Sequence, residues 1–483
     1  MKNSKKSIVC FFAFCLFTEL FAVGSNADLD QDLQSFKYII SQNYAAYDEA
    51  AALGFKIDDA IDTIKYRYQK NYPGSLNSDL LAECIFSVLN EDFPIKDDHL
   101  TIKSESKEYF YSDVRWRMSD VYFEKKGNDF FTVRNYFLLK IKKNQKYTGD
   151  LENLFPCVYH GKDMFRFGIL TDKIEHETSI SIEGENIRVP IFIDIPFASE
   201  KDKIGIRKTG TTLYVSLSDC ILASDNEKTD RQIKKDFDSA LTMIEKGGFE
   251  NLIIDLRSNK GGYIEHVTSL LEALYCGNDD NIRSNFQKCM NDSYQGSQVL
   301  YSPDIAAAYA DSLNNIGALS EESVLFSQQL EKEMKDNPHR YFDIVEKKSR
   351  TLTKMSNSLF KGKIIFLINL RTASAAEQLI CLSYLRGQDN IIVVGSNSHG
   401  CLDFGGIYCY TLPNSGIELY FPNVMFKESL LLTDNSHWHG DSYGFYPDYW
   451  TDSKHLIDTL IYITNDRNIK KNMKGLAKGL LDN

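Results

Sequence analysis

The stretch from Lys361 to Leu382, KGKIIFLINLRTASAAEQLICL, constrains the fold of this chain more than any other. Ile364 to Leu370 is an almost unbroken apolar run of strand length, the pattern of a strand buried on both faces. From Ala375 onward, Ala375, Ala376, Leu379, Ile380 and Leu382 recur at helical spacing, so a buried strand must turn sharply into a helix. Ser374 sits at the joint. A serine there exposes its hydroxyl at the top of a sheet, where the first N–H groups of a helix point at whatever it attacks. That is the geometry acyl transfer needs. The same residues also read as an ordinary N-cap, with Glu377 three residues on completing a capping box.

The surroundings of this corner are layered. Residues 28–117 read as a helical N-terminal domain, because Asp30 to Tyr44, Ile57 to Asn71 and Leu76 to Leu89 carry apolar residues three and four apart. The segment ends in EDFPIKDDHLTI, where Pro94 breaks the period. Residues 118–205 are short β-rich runs separated by polar turns, and predict a small β domain. From 206 strands and helices alternate. TTLYVSLSDC, NLIIDLRS, Ile364 to Leu370 and IIVVG read as strands, with helices at Asp230 to Lys246, Ile264 to Leu274 and after Ser374. That alternation predicts an α/β layered core over 206–483, interrupted by a polar, partly helical insertion at about 277–358 (EESVLFSQQLEKEMKD). A β-rich tail and a final helical segment from His455 complete it.

The first 27 residues predict an export signal, with Lys2, Lys5 and Lys6 ahead of an apolar stretch from Ile8 to about Val23 and small residues at Ser25 and Ala27. Thr18 and Glu19 interrupt that run, which is short for a membrane span, and no other stretch is long enough to cross a bilayer. The expected destination is therefore a periplasm or the exterior. Net charge is -12 and the basic residues form no long stripe, which argues against a nucleic-acid partner. Of ten cysteines, Cys10 and Cys15 fall in the signal, and the remaining eight form no Cys-x-x-Cys pair, against a structural zinc site. Export permits disulfides, and Cys276 with Cys289, flanking a polar loop, is the first pairing expected.

A second stretch, IIDLRSNKGG from Ile253 to Gly262, ends a strand in a polar turn with two glycines ahead of a helix. Paired glycines allow close backbone approach and present N–H groups to a ligand. In order along the chain come Asp255 to Gly262, Thr372 to Glu377, a Val-Gly turn from Val394 to Gly400, then Leu412-Pro413 and Pro447-Asp448. Together these resemble the C-terminal processing (tail-specific) serine peptidases, over residues 205 to 455 without the insertion.

The resemblance implies a crotonase/Clp-peptidase-like core and a peptide or protein substrate, with no cofactor or metal. It implies Ser374 as nucleophile, and an oxyanion hole from the backbone N–H of Ala375 and that of Gly261 or Gly262. The family's lysine base would follow the glycine of the Val-Gly turn, where this chain has Cys401, so the match is closer to the tricorn-like branch that uses a histidine. Asp97-Asp98-His99-Leu100-Thr101 is similar to that branch's turn and implies His99 as general base, with Asp98 or a distant carboxylate orienting it. An imidazole titrating near ~6.5 suits proton transfer at neutral pH. The 118–205 segment occupies the place of the family's PDZ domain but lacks a clear glycine-rich loop for a terminal carboxylate.

Other polar residues read more simply. His399 lies in the turn near the missing lysine, and Asp448 is either a further acid of a relay or a turn carboxylate. His437 and His439 offer only two metal ligands. Cys401 has no activating neighbour in sequence. The residues therefore support an exported serine peptidase with an acyl-enzyme on Ser374. An inactive peptide-binding protein on the same fold, or an acyl hydrolase, is the competing reading.

Overall fold

Five consecutive fully buried residues, Ile364 to Ile368, close the strand Lys363–Ile368 at the centre of a six-stranded sheet. In the computed structural model the described residues are 26–72, 76–111, 114–193, 203–224, 226–276, 280–307, 332, 340–343, 360–385, 390–432 and 437–472. The expected signal up to residue 25 lies outside them, as does the 321–336 run apart from Lys332. The chain is mixed α/β and divides into two units, neither continuous in sequence: 1–111 with 294–348 and 403–427, and 112–293 with 349–402 and 428–483.

The central sheet belongs to the second unit. Its strands lie in the order Tyr449–Trp450, Ile391–Gly395, Lys363–Ile368, Asn251–Asp255, Thr212–Leu217, Ile204–Thr209. All pairings are parallel except the last, a hairpin. Parallel strands must be covered on both faces, which is why they read as continuous apolar runs. One face packs Tyr214, Ile253, Ile365, Leu367 and Val394 under the helices Leu456–Thr464 and Ile469–Asn472. The alternate residues, including Leu252, Ile254, Ile364 and Phe366, are equally buried and face the other way.

The same unit holds the β domain. The strands Asp129–Thr132, Arg115–Lys126, Lys162–Thr171 and Leu154–Tyr159 form an antiparallel sheet in that order, and Glu177–Ile182 pairs with Glu185–Pro190. It joins the core sheet through rings and one buried ion pair. Trp450 packs against Trp116 and Phe155 at centroid distances of 4.9 and 4.7 Å. Arg166 reaches Asp452 at 2.6 Å, and Asp452 also meets the His455 ring at 2.6 Å. Burial alone would raise the Asp452 carboxyl, but His455 and Arg166 together hold it well below the usual range.

The first unit contains the helices Asn26–Asn43, Ile57–Asn71 and Ser78–Asp92, close to their periodic patterns. They cover an antiparallel sheet whose strands are Arg340–Asp343, Gln298–Tyr301, Glu418–Met425, Thr101–Lys103 and Glu108–Phe110, with Phe404–Thr411 also paired to Glu418–Met425. Two parts of the expected core segment therefore belong here. The hairpin of the β-rich tail buries Leu412, Ile417, Leu419 and Phe421 in one cluster with Leu33, Phe36 and Ile85, and the insertion supplies two strands. The cysteine expectation is corrected: all eight described cysteines are thiols, Cys276 and Cys289 included, and both of these are buried.

Candidate active site

The strands Asn251–Asp255 and Lys363–Ile368 pair in register, Asp255 opposite Leu367, so their carboxyl ends emerge side by side. The two turns that leave them are tied by four hydrogen bonds. Leu256 N–H donates to the Leu367 carbonyl at 2.9 Å, and Ser258 N–H to Asn369 Oδ1 at 3.0 Å. Thr372 Oγ1 donates to the Leu256 carbonyl at 2.9 Å, and Ala373 N–H to the Asn259 carbonyl at 2.9 Å. Beneath them Arg257 grips Asp255 at 2.6 Å with both side chains fully buried, and Tyr214 Oη donates to the same carboxylate at 2.8 Å. The two stretches singled out in sequence are thus one structure, and Asp255 and Arg257 are its rivet.

Ser374 itself has φ +54°. That left-handed conformation is uncommon for a residue with a side chain and costs on the order of 1–3 kcal/mol. It persists because its surroundings over-determine it. Ser374 N–H donates to Glu377 Oε2 at 3.2 Å, half of the capping box read in sequence. The helix Ala375–Leu385 starts immediately after, so its first N–H groups lack intrahelical acceptors.

The two glycines explain themselves by contact. Gly261 has φ +90°, and a Cβ there would stand 2.7 Å from the Ser374 Cβ and 2.9 Å from the Ala375 nitrogen. Gly262 has φ +142°, and a Cβ would meet the Cys220 backbone at 2.6 Å. Only glycine lets this turn approach the serine. Gly261 N–H is committed to Asn259 Oδ1 at 2.9 Å. Among the described residues the N–H groups of Gly262 and Ala375 make no hydrogen bond.

Glu377 is the group whose role the sequence shows least. Its carboxylate, fully buried, accepts four donors: Ser374 N–H, Ser398 Oγ at 2.5 Å, Gly400 N–H at 2.8 Å and Cys401 N–H at 2.8 Å. It binds the serine corner to the Val-Gly turn. Burial raises its carboxyl above the ordinary range, against the pull of Ser398, Gly400, His399 and Cys401. The turn is held from its other side too, since His399 N–H donates to the Thr372 carbonyl at 2.9 Å. The next helix residue, Gln378, donates from Nε2 to the buried Glu428 at 2.5 Å.

Other candidates take structural places. Asp448 accepts Val393 N–H at 2.8 Å and pairs with His437 at 3.1 Å, which raises the His437 imidazole. The His439 ring stacks on Tyr446, centroids 3.6 Å apart. Among the described residues no group of three or more His, Cys, Asp or Glu could hold a metal ion. Cys401 is buried and meets Glu377 through its backbone, and burial pushes the Cys220 thiol beside Asn259 up to about 12.

His99 and Asp98 lie in the first unit, both buried, at the start of the strand Thr101–Lys103. The carboxylate the structure places against the His99 ring is that of Asp97, with Nδ1 3.6 Å from Oδ1. Asp97 also accepts His99 N–H at 2.9 Å and Tyr44 Oη at 2.9 Å. Tyr44 is clamped between Phe93 and Phe421 at 5.4 and 4.9 Å. The sequence signal for Asp97 was its place in the acidic pair Asp97-Asp98 ahead of the histidine; Tyr44 left none.

Residues 212–414 match the family model described as peptidase family S41. Among solved structures, mature CPAF complexed with lactacystin is similar at 13% identity and a TM-score of 0.43, covering 91% of this chain and 99% of that one. The photosystem II D1 C-terminal processing protease is similar at 11% and 0.36, covering 91% and 97%. The tricorn protease is similar at 14% and 0.33, covering 93% of this chain and 37% of that one. No curated protein matches.

Proposed function

We propose that this chain, whose residues 212–414 match the model of peptidase family S41, is an exported serine endopeptidase acting through an acyl-enzyme on Ser374. The observation that carries the reading is the corner itself: a serine at φ +54° beside two glycines and two unengaged N–H groups, at the carboxyl edge of a parallel sheet. Ser374 Oγ attacks a peptide carbonyl carbon while His99 takes the hydroxyl proton. The oxygen that gains charge is held by Ala375 N–H and, since Gly261 N–H is engaged by Asn259, by Gly262 N–H. Such donors each contribute about 10²–10³ in rate. Collapse expels the amine, which takes its proton from His99, and water then hydrolyses the acyl ester by the reverse proton path.

His99 suits the task on local grounds. Its backbone and ring both face Asp97, whose other oxygen is occupied by Tyr44, so the carboxylate is fixed before the imidazole charges. Asp98 is the second acid at the same turn. Where tail-specific relatives carry a lysine, Cys401 serves the Glu377 network through its N–H, which leaves the histidine as the proton acceptor. The expected signal over residues 1–27 supports export to a periplasm or the exterior.

A fluorophosphonate probe tests the reading. Wild type should label on Ser374, and Ser374→Ala and His99→Ala should not. Well-folded wild-type protein that stays unlabelled would indicate a peptide-binding protein without catalysis. Ester turnover without peptide cleavage would indicate an acyl hydrolase.

A further inference from the structure

The β domain carries a basic, apolar-tipped loop that the peptidase reading does not use. Between Val133 and Gly149 the chain has five cations, Arg134, Lys140, Lys142, Lys143 and Lys146, and no Asp or Glu, within a protein of net charge -12. The loop is closed by reciprocal backbone bonds between Tyr136 and Ile141 at 2.7 and 3.2 Å. It is braced by Lys143 N–H on Asn135 Oδ1 at 2.8 Å and Thr132 Oγ1 on the Lys142 carbonyl at 2.6 Å. Tyr136, Ile141 and Tyr147 point into the domain's core. The one-turn helix between them, Phe137–Leu139, points the other way at its tip: Phe137 is 85% exposed and Leu138 100%. Single exposed apolar residues are ordinary. Two adjacent ones on a braced tip, flanked in sequence by cations, are not accounted for by folding.

We propose that this loop docks the protein on an anionic lipid bilayer, with Phe137 and Leu138 entering the acyl boundary and the cations meeting the headgroups. Lys146 is partly taken by Asp129 at 2.8 Å and lies beside Glu183, which accepts its N–H. Arg134 stacks over the Tyr136 ring at 4.9 Å and donates to the Asp120 carbonyl at 3.4 Å, so the effective cations are Lys140, Lys142 and Lys143. A lipid surface fits better than a soluble polyanion because charge alone gives no reason for an exposed phenyl and isobutyl pair at the apex. An apolar wedge with basic flanks is the pair of signals that reversible membrane attachment needs. Among the described residues no helix is long and apolar enough to cross a membrane. The proposal stands apart from the serine chemistry, because binding is read without turnover.

The test is co-sedimentation of the purified protein with phosphatidylcholine vesicles, with and without phosphatidylglycerol. Binding should require phosphatidylglycerol and weaken as salt rises. Lys142→Gln with Lys143→Gln should cost roughly 25-fold, at about fivefold per cation near an anionic surface. Phe137→Ser with Leu138→Ser should cost roughly tenfold or more. Should either pair misfold, the indole of a Phe137→Trp variant in the intact loop should be quenched by brominated lipid. The proposal is overturned by absence of binding to phosphatidylglycerol vesicles, by an apolar-tip variant that binds like wild type, or by a Phe137→Trp variant whose fluorescence brominated lipid leaves unquenched.

Discussion

At Ser374 two demands meet that a single residue rarely satisfies together: it starts a helix and it occupies a left-handed backbone conformation. At that corner Gly261 is the most sensitive neighbour of the serine. Gly261→Ala would put a methyl 2.7 Å from the Ser374 Cβ, in a backbone conformation that alanine disfavours. Labelling of Ser374 by the fluorophosphonate probe should fall by about 10²-fold or more, and labelling at the wild-type rate would show that the glycine turn does not face the nucleophile. Glu377 makes a second residue-scale prediction. Glu377→Ala strands four donors, three of them backbone N–H groups, at about 1–3 kcal/mol for each one left unsatisfied. The variant should therefore lose several degrees of thermal stability together with labelling. Full labelling in Glu377→Ala would reduce the carboxylate to a bystander.

At the scale of elements, the β domain is held to the core sheet by a buried ion pair as well as by rings. Arg166→Ala leaves the buried Asp452 carboxylate with His455 but without its guanidinium partner, so it should destabilise by about 3 kcal/mol, read as a lowered unfolding midpoint. The pair also carries a pH dependence with a definite sign. The Asp452 carboxyl is depressed below its ordinary 3.8, so its contribution is present above that value and fades as pH falls through the lower folded one. Asp452→Asn should flatten the acid limb of the stability profile below about pH 4 and leave its neutral shape unchanged; an unchanged acid limb would contradict the assignment. What was legible in sequence at this scale was local. The buried strand, the serine corner and the helix Ile57–Asn71 each declare themselves within a short window of apolar periodicity. The pairing of Thr101–Lys103 with Glu418–Met425 does not, because the partners are more than 300 residues apart and neither carries a register signal. The donors of Glu377 were hidden for the same reason: its capping-box spacing was visible, but Ser398, Gly400 and Cys401 lie in another turn.

For the whole molecule, the chain passes from one unit to the other after residues 111, 293, 348, 402 and 427. His99 is built into the first unit by Asp97 and Tyr44, and Ser374 into the second by Glu377 and the glycine turn. The proposed chemistry needs both. With His99 as the proton acceptor, acylation of Ser374 depends on the His99 ring. Replacing the histidine should abolish that step and leave the fold intact. The most direct measurement is the rate of fluorophosphonate labelling, followed by mass spectrometry of the modified peptide, for wild type, Ser374→Ala and His99→Ala. The expected result is a single adduct on Ser374 in wild type and no adduct in either variant. An adduct on another residue, or His99→Ala labelled at the wild-type rate, would contradict it.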